Sequence, residues 1–289
     1  MSETKDLTLL FESHRNHLRA VAYRMLGSAT EADDAVQEAW LRLNGSDTSE
    51  VANLGGWLTT VVARLCLDIL RSRRREEALD AEVVESIADS KSDPEQETLL
   101  ADSVGVALLV VLNTLSPAER VAFVLHDVFD LPFDEIAPIV DRTPDAARQL
   151  ASRARRRVRG GDGTSNADFQ SQRVAVSAFL TALRAGDFAA LLAVLDPDVL
   201  VRMDTTPGAP SREFRGAADW ARGATAAFSP YARFVHPAIV NGAVGLVFAP
   251  GGKLSRALSF TVANGKITQV EIITDRDRLQ QLDLSVLED

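Results

Sequence analysis

"SPAERVAFVLHDVFDLPFDEIAPIVDRTPDAARQLASRARRRV", residues 116–158, decides how the first half of this chain is read. Ser116 is a helix N-cap, Pro117 suits the first helical position and Glu119 stands at the capping-box position. The spacing predicts a helix over about 117–128 and a second over about 132–140. Pro138 falls inside the second, so that helix is expected to be short or irregular. "DRT" (141–143) forms a turn in which Thr143 can cap a third helix, with Pro144 at its first position. Along that helix Ala147, Leu150, Ala151, Ala154 and Val158 mark one apolar face. Asp145, Arg148, Gln149, Ser152, Arg153 and Arg156 occupy the opposite face. The pattern is a helix-turn-helix with a polar recognition face; the alternative is a surface helix of a plain bundle. Arginine and glutamine can bond guanine and adenine edges in a major groove. Arg155, Arg157 and Arg159 are better placed for phosphates.

That concentration of arginine is local. The 289-residue chain holds 31 Lys and Arg against 41 Asp and Glu, a net charge of −10. Residues 1–160 account for 19 basic and 27 acidic side chains. Within them Arg71, Arg73, Arg74 and Arg75 form one knot, and Arg153, Arg155, Arg156, Arg157 and Arg159 another. A nucleic-acid site needs local positive potential rather than a positive total. Taken singly, each knot could also be a solvated helix end, where arginine favours the dipole.

The composition is that of a globular protein, 46% hydrophobic and 25% charged. No apolar run approaches the ~18 residues of a membrane span, and "MSETKDLTLLFESH" lacks a signal-peptide layout. The single cysteine, Cys66, cannot form an internal disulfide and suits a reducing cytoplasm. Without a Cys/His cluster no structural zinc is expected, and no cofactor, metal or catalytic residue is assigned.

Upstream, residues 6–26 carry Leu7, Leu10, Phe11, Leu18, Val21, Ala22 and Met25 at helical spacing. Gly27 ends that helix and Thr30 can cap the next, 31–43. Residues 44–56 are a loop rich in turn formers, and a third helix runs 57–75. Residues 76–97 hold nine acids and one lysine, which reads as an exposed linker before a helical block at 98–159. "GDGTSN" (161–166) is the clearest boundary. Beyond it, helices at 168–185, 187–195 and 216–227 accompany strands near 198–204, 232–240, 243–249, 255–263 and 266–274. Asn-Gly at 241–242 and 264–265 marks two hairpins of an expected curved antiparallel sheet, an α+β domain.

Three segments together resemble bacterial sigma factors. "ATEADDAVQEAWLRL" (29–43) resembles the region 2 helix that grips the RNA polymerase clamp. "GGWLTTVVARLCLDILRSRRR" (55–75) resembles the helix that melts and reads the promoter −10 element. Residues 115–158 resemble region 4, which reads the −35 element. Order and spacing are those of the extracytoplasmic-function class, over about residues 5–160. The resemblance implies core RNA polymerase and promoter DNA as partners. It implies that Asp33, Asp34, Gln37 and Glu38 meet polymerase. Trp40 on the same helix reads as a core residue rather than a contact. It implies phosphate contacts at Arg71, Arg73 and Arg74, with Ser49 and Asn53 of the preceding loop near a captured base. Thr143, Arg148, Gln149, Ser152, Arg153, Arg155, Arg156 and Arg157 become the −35 contacts. The acidic linker becomes either a polyanion mimic in polymerase channels or a solvated tether.

"VSAFLTALRAGDFAALLAVLDPDVLVRMD" (176–204) resembles the opening of SnoaL-like domains of the NTF2-like superfamily, cones of curved sheet and helices. Sigma factors of the SigJ-like type carry such a domain, which implies regulation in cis. Motifs of a related subgroup, of WLPEP and DGGGK type, are missing, and "TDRDRL" (274–279) only loosely matches its NPDKL-type tail. A pocket mouth for an unknown small ligand would involve Arg202, Asp204, Tyr231 and His236, with Asp275 nearby. No spacing requires a catalytic dyad, and a fold alone does not establish chemistry.

The expected organisation is therefore sigma region 2 (1–75), an acidic linker (76–97), region 4 (98–160), a second linker (161–167) and the α+β cone (168–289). Two other functions fit parts of the pattern. One is a stand-alone helix-turn-helix regulator with a ligand-sensing cone. The other is a cone-fold enzyme with a helical extension.

Overall fold

A computed structural model of the chain describes residues 2–46, 51, 53–79, 105–159, 167–204 and 211–287. It divides into two compact units, one of residues 1–105 and 115–155, the other of residues 106–114 and 156–289. Most of the acidic linker, Ser49 and the 161–166 break lie outside the described residues.

The first unit is helical. Helix α1 (Ser2–Leu26) ends at Gly27, whose φ of 71° favours glycine. Helix α2 (Ala29–Gly45) is capped by Ser28, which accepts the Glu31 N–H at 3.4 Å. Thr30, the expected cap, is already inside the helix. Helix α3 (Leu54–Leu79) starts earlier than Trp57 because Asn53 Oδ1 accepts the Gly56 N–H at 3.0 Å, and it continues past Arg75. Leu18, Val21, Ala22 and Met25 of α1 meet Ala32, Ala39 and Leu43 of α2 and Leu58, Val62 and Cys66 of α3 in a closed core. Phe11 and Trp40 pack with ring centroids 4.8 Å apart, while Leu10 faces outward.

The helix-turn-helix follows. Helix α5 (Pro117–Phe123) begins with the expected capping box: Ser116 and Glu119 exchange side-chain and backbone bonds. (Helix α4, Val106–Thr114, belongs to the second unit.) The expected continuation to 128 is a π-turn, Val124–Val128, after which Asp130 takes a φ of 55°. Helix α6 (Phe133–Ile136) stops before Pro138, as the ring requires. Helix α7 (Pro144–Arg159) opens at Thr143, whose Oγ1 accepts the Ala146 N–H at 3.3 Å.

In the second unit, helices α8 (Ala167–Ala185), α9 (Phe188–Val194) and α10 (Ala217–Phe228) accompany a seven-stranded sheet. Its strands are β1 (Leu195–Met203), β2 (Arg212–Arg215), β3 (Val235–Val240), β4 (Ala243–Phe248), β5 (Arg256–Ala263), β6 (Lys266–Ile273) and β7 (Leu284–Ser285). The order is β2-β1-β6-β5-β4-β3-β7. Both Asn-Gly pairs take positive φ, as two-residue hairpins need. The sheet is mixed rather than antiparallel, because β1 lies parallel to β6. β2 and β7 were not expected: one is four exposed residues and the other only two, so neither carries an alternating signal. Phe179 of α8 stacks on Trp220 of α10 at 5.7 Å and meets Phe260 of β5 at 5.4 Å, filling the space between helices and sheet.

Helix α4 packs with this unit. Its Leu109, Val110, Val111 and Leu112 are all buried, and Asn113 Nδ2 donates to the Gly252 carbonyl at 2.7 Å. The last turn of α7 is here too, where the Val158 carbonyl accepts the Val286 N–H at 2.8 Å. The compact units thus cut across the 98–160 segment read from sequence.

Gly245 of β4 shows how closely the sheet is packed. A Cβ there would lie 2.6 Å from the Leu258 carbonyl oxygen and 2.8 Å from Val240 Cγ2. Gly245→Ala should destabilise the second unit by about 1–3 kcal/mol, read as a lower unfolding midpoint in denaturant.

Candidate nucleic-acid interface

The face of α7 is built by what its other side buries. Ala147, Ala151 and Ala154 are wholly enclosed, and Leu150 nearly so. Helical periodicity then turns Arg148, Gln149, Ser152, Arg153 and Arg156 toward solvent. Arg157 and Arg159 are also exposed. The Thr143 hydroxyl is engaged as the helix cap.

Ion pairs divide these arginines into two groups. Arg155 Nε donates to Asp127 Oδ1 at 2.6 Å, which raises the Arg155 pKa further. Arg153 Nε lies 3.2 Å from Glu119 Oε1, on the capping carboxylate of α5. One pair ties α7 to α5 and the other ties it to the π-turn that follows α5. Arg148 bonds Asp145 of its own helix at 2.6 Å.

The first knot divides similarly. Arg73 turns inward, donating to the Leu26 carbonyl at 3.1 Å and pairing with Glu31. Arg71 lies 3.4 Å from Asp141 in the helix-turn-helix turn, and Arg64 donates to the Pro138 carbonyl at 3.3 Å. Arg74 is exposed. Arg120 of α5 went unnoticed in the sequence, because an arginine in a first helical turn carries no burial signal. It is 3% exposed, and its Nη2 donates to the Arg24 carbonyl at 3.5 Å. Burial, then the neighbouring Arg73, push its guanidinium down to about 9, which leaves it charged at neutral pH. Cys66 in the same core is inert, its thiol pushed up to about 12 by burial.

On α2, Asp33, Asp34 and Gln37 are exposed and Glu38 is half-buried. Asp33 pairs with Arg19 of α1 at 2.6 Å and Glu38 with Arg42 at 3.1 Å. Asp34 and Gln37 present their polar groups to solvent.

The four cone residues are not brought together. Arg202 of β1 pairs with Glu213 of β2 at 2.7 Å. Asp204 is consumed by the Thr274 N–H, the Thr274 hydroxyl at 2.7 Å and Arg278 at 3.2 Å, a network that joins β1 to the start of α11 (Arg276–Gln281). Asp275 caps that helix by accepting the Arg278 N–H at 2.9 Å. His236 sits on β3, with β6, β5 and β4 between it and β1, and Tyr231 is exposed on a separate turn. Burial, then the nearby Arg184, hold His236 at about 4. Among the described residues no helix is long and apolar enough to cross a membrane, and no cluster of His, Cys, Asp and Glu is placed to hold a metal.

Comparison with known proteins gives the family. Residues 10–76 match the family Sigma-70 region 2, and residues 105–158 match Sigma-70, region 4. The chain is 37% identical over 286 residues to the ECF RNA polymerase sigma factor SigJ of Mycobacterium tuberculosis, across 93% of this chain and 91% of that protein. The chain belongs to the extracytoplasmic-function RNA polymerase sigma factors. This sigma factor is also 37% identical over 212 residues to the probable sigma factor SigI of that organism, across 72% of this chain and 73% of that one. The crystal structure of the Mycobacterium tuberculosis SigJ aligns with 34% identity and a TM-score of 0.46, covering 94% of this chain and 97% of that one.

Two expectations concern single side chains. If Arg155 holds α7 rather than DNA, Arg155→Ala and Asp127→Ala should each lower stability and together lose less than their sum, a coupling of about 1 kcal/mol. Urea unfolding of the four proteins in that cycle measures it. His236 is harder to protonate folded than unfolded, so the unfolded chain binds the extra proton between about pH 6.5 and about 4. Stability of the second unit should fall as pH drops through that window, and His236→Gln should flatten the dependence.

Proposed function

We propose that this sigma factor divides promoter recognition among three of its helices. Helix α2 docks on core RNA polymerase through the side of Asp33, Asp34, Gln37 and Glu38. Helix α3 and the loop before it engage the −10 element, with Arg74 of the knot holding phosphate. Helix α7 enters the major groove of the −35 element, Arg148, Gln149 and Ser152 toward bases and Arg156 and Arg157 toward phosphates. One observation carries this reading: α7 buries Ala147, Leu150, Ala151 and Ala154 and turns an unbroken polar, arginine-rich face outward. No bond chemistry falls to the chain; nucleotide addition belongs to the polymerase.

The C-terminal domain regulates in cis, as a packing module rather than as an enzyme. Support comes from α4, which lies inside the stretch matched to region 4 yet packs with the second unit. Further support comes from the aromatic filling between sheet and helices. The separation of Arg202, Asp204, Tyr231 and His236 weighs against a shared ligand site built from them.

The experiment is transcription in vitro with the full chain, core polymerase lacking any other sigma factor, and a library of random promoters. Transcripts enriched for shared −35 and −10 sequences are expected. An absence of both enrichment and polymerase binding would overturn the reading in favour of a stand-alone regulator. In the same system Arg156→Ala should weaken −35 DNA binding uniformly and lower the slope of log K against log salt by about one.

A further inference from the structure

Arg148 is 61% exposed at its side chain, yet it is held from two sides. Its Nη1 donates to Asp145 Oδ1 at 2.6 Å, one turn earlier on α7. Its Cζ lies 5.3 Å from the centroid of the Phe133 ring, at the start of α6. Phe133 is held in turn: the His126 imidazole packs on it with centroids 3.9 Å apart and planes inclined at 34°. His126 is fixed because its Nδ1–H donates to the Leu131 carbonyl at 2.9 Å. The π-turn places these groups. Its widened backbone carries His126 to Phe133 and, at the next residue, Asp127 to Arg155 on α7.

An exposed arginine ordinarily spreads over many rotamers and loses that freedom when it binds. Restraint beforehand reduces the loss and narrows the positions the guanidinium can reach. With Nη1 engaged by Asp145, the Nε and Nη2 donors remain for a pair of acceptors. Guanine offers such a pair in the major groove, O6 and N7, whereas adenine places an amino donor beside its N7. A guanidinium has only donors, so a restrained one discriminates between the two purines.

We propose that Phe133 and Asp145 are positioning residues that aim Arg148 at a guanine of the −35 element, and that they set base preference there without touching the base. The inference rests on the reading of α7 as the −35 helix. It differs from a structural role for the two side chains by making a claim about one base pair.

The test uses holoenzyme assembled from core polymerase and the full chain, on a promoter library randomised only across the −35 element, with transcripts sequenced. The unsubstituted chain should favour guanine at one position, and Arg148→Ala should erase that preference by roughly tenfold. Phe133→Leu and Asp145→Ala should each reduce it at the same position by about two- to fivefold, as expected for an exposed cation–π contact or ion pair. Neither should add to the loss in an Arg148→Ala background. Phe133→Tyr, which keeps the ring, should retain the preference and guards against a variant that merely folds poorly. Loss spread evenly over all −35 positions, loss at another position, or additivity with Arg148→Ala would overturn the positioning role while leaving α7 as the reader. If the unsubstituted holoenzyme initiates with no −35 preference at all, the reading of α7 fails, and the inference with it.

Discussion

Burial of the Ala147, Leu150, Ala151 and Ala154 face of α7 is the constraint on which the recognition surface depends. Three of the four side chains are single methyl groups, so the helix can lie close against its supports. Close packing leaves little room for rotation about the helix axis. Once that face is fixed, the 3.6-residue period determines which side chains point outward. The exposed arginines are therefore placed by alanines they never touch.

Charge completes what packing begins. Arg153 and Arg155 belong to the densest run of positive charge in the chain, yet each is paired with a carboxylate, Glu119 on α5 or Asp127 in the π-turn after it. Arg73 and Arg120 are drawn further inside, toward the Leu26 and Arg24 carbonyls at the end of α1. Burying such charges is costly unless hydrogen bonds meet them, and carbonyls left over at a helix C-terminus are ready acceptors. An acidic chain can thus carry arginine knots without presenting all of them to a polyanion. Some of the positive charge holds the helices in place, and the remainder is exposed.

The second unit obeys a different economy. Its sheet is held by aromatic packing and main-chain bonds, with ion pairs among the described residues confined to the β1–β2 and Asp204–Arg278–Glu271 contacts, and α4 adds packing from outside the C-terminal segment. Residues 106–112 of helix α4 are all apolar, which makes that stretch unfit for a solvent-facing position and suited to burial against β3 and β7. The Asp204 network does comparable work at the far edge, joining the end of β1 to the start of α11.

Much of this was legible in the residues. The capping box at Ser116, the break at Pro138, the Thr143 cap, the two faces of α7 and both Asn-Gly hairpins depend on local backbone rules, so the sequence alone determined them. So did the order of helical and α+β segments, since apolar periodicity carries that information. What only the tertiary structure decided was partnership. Nothing local distinguishes Arg155, held by Asp127, from Arg156, which is exposed, because neighbouring arginines look alike until a carboxylate from another helix arrives. The parallel pairing of β1 with β6, the edge strands β2 and β7, the buried Arg120 and the placement of α4 with the second unit were likewise hidden. Each depends on a contact between residues distant in sequence, and local propensity does not encode which distant surface will be there.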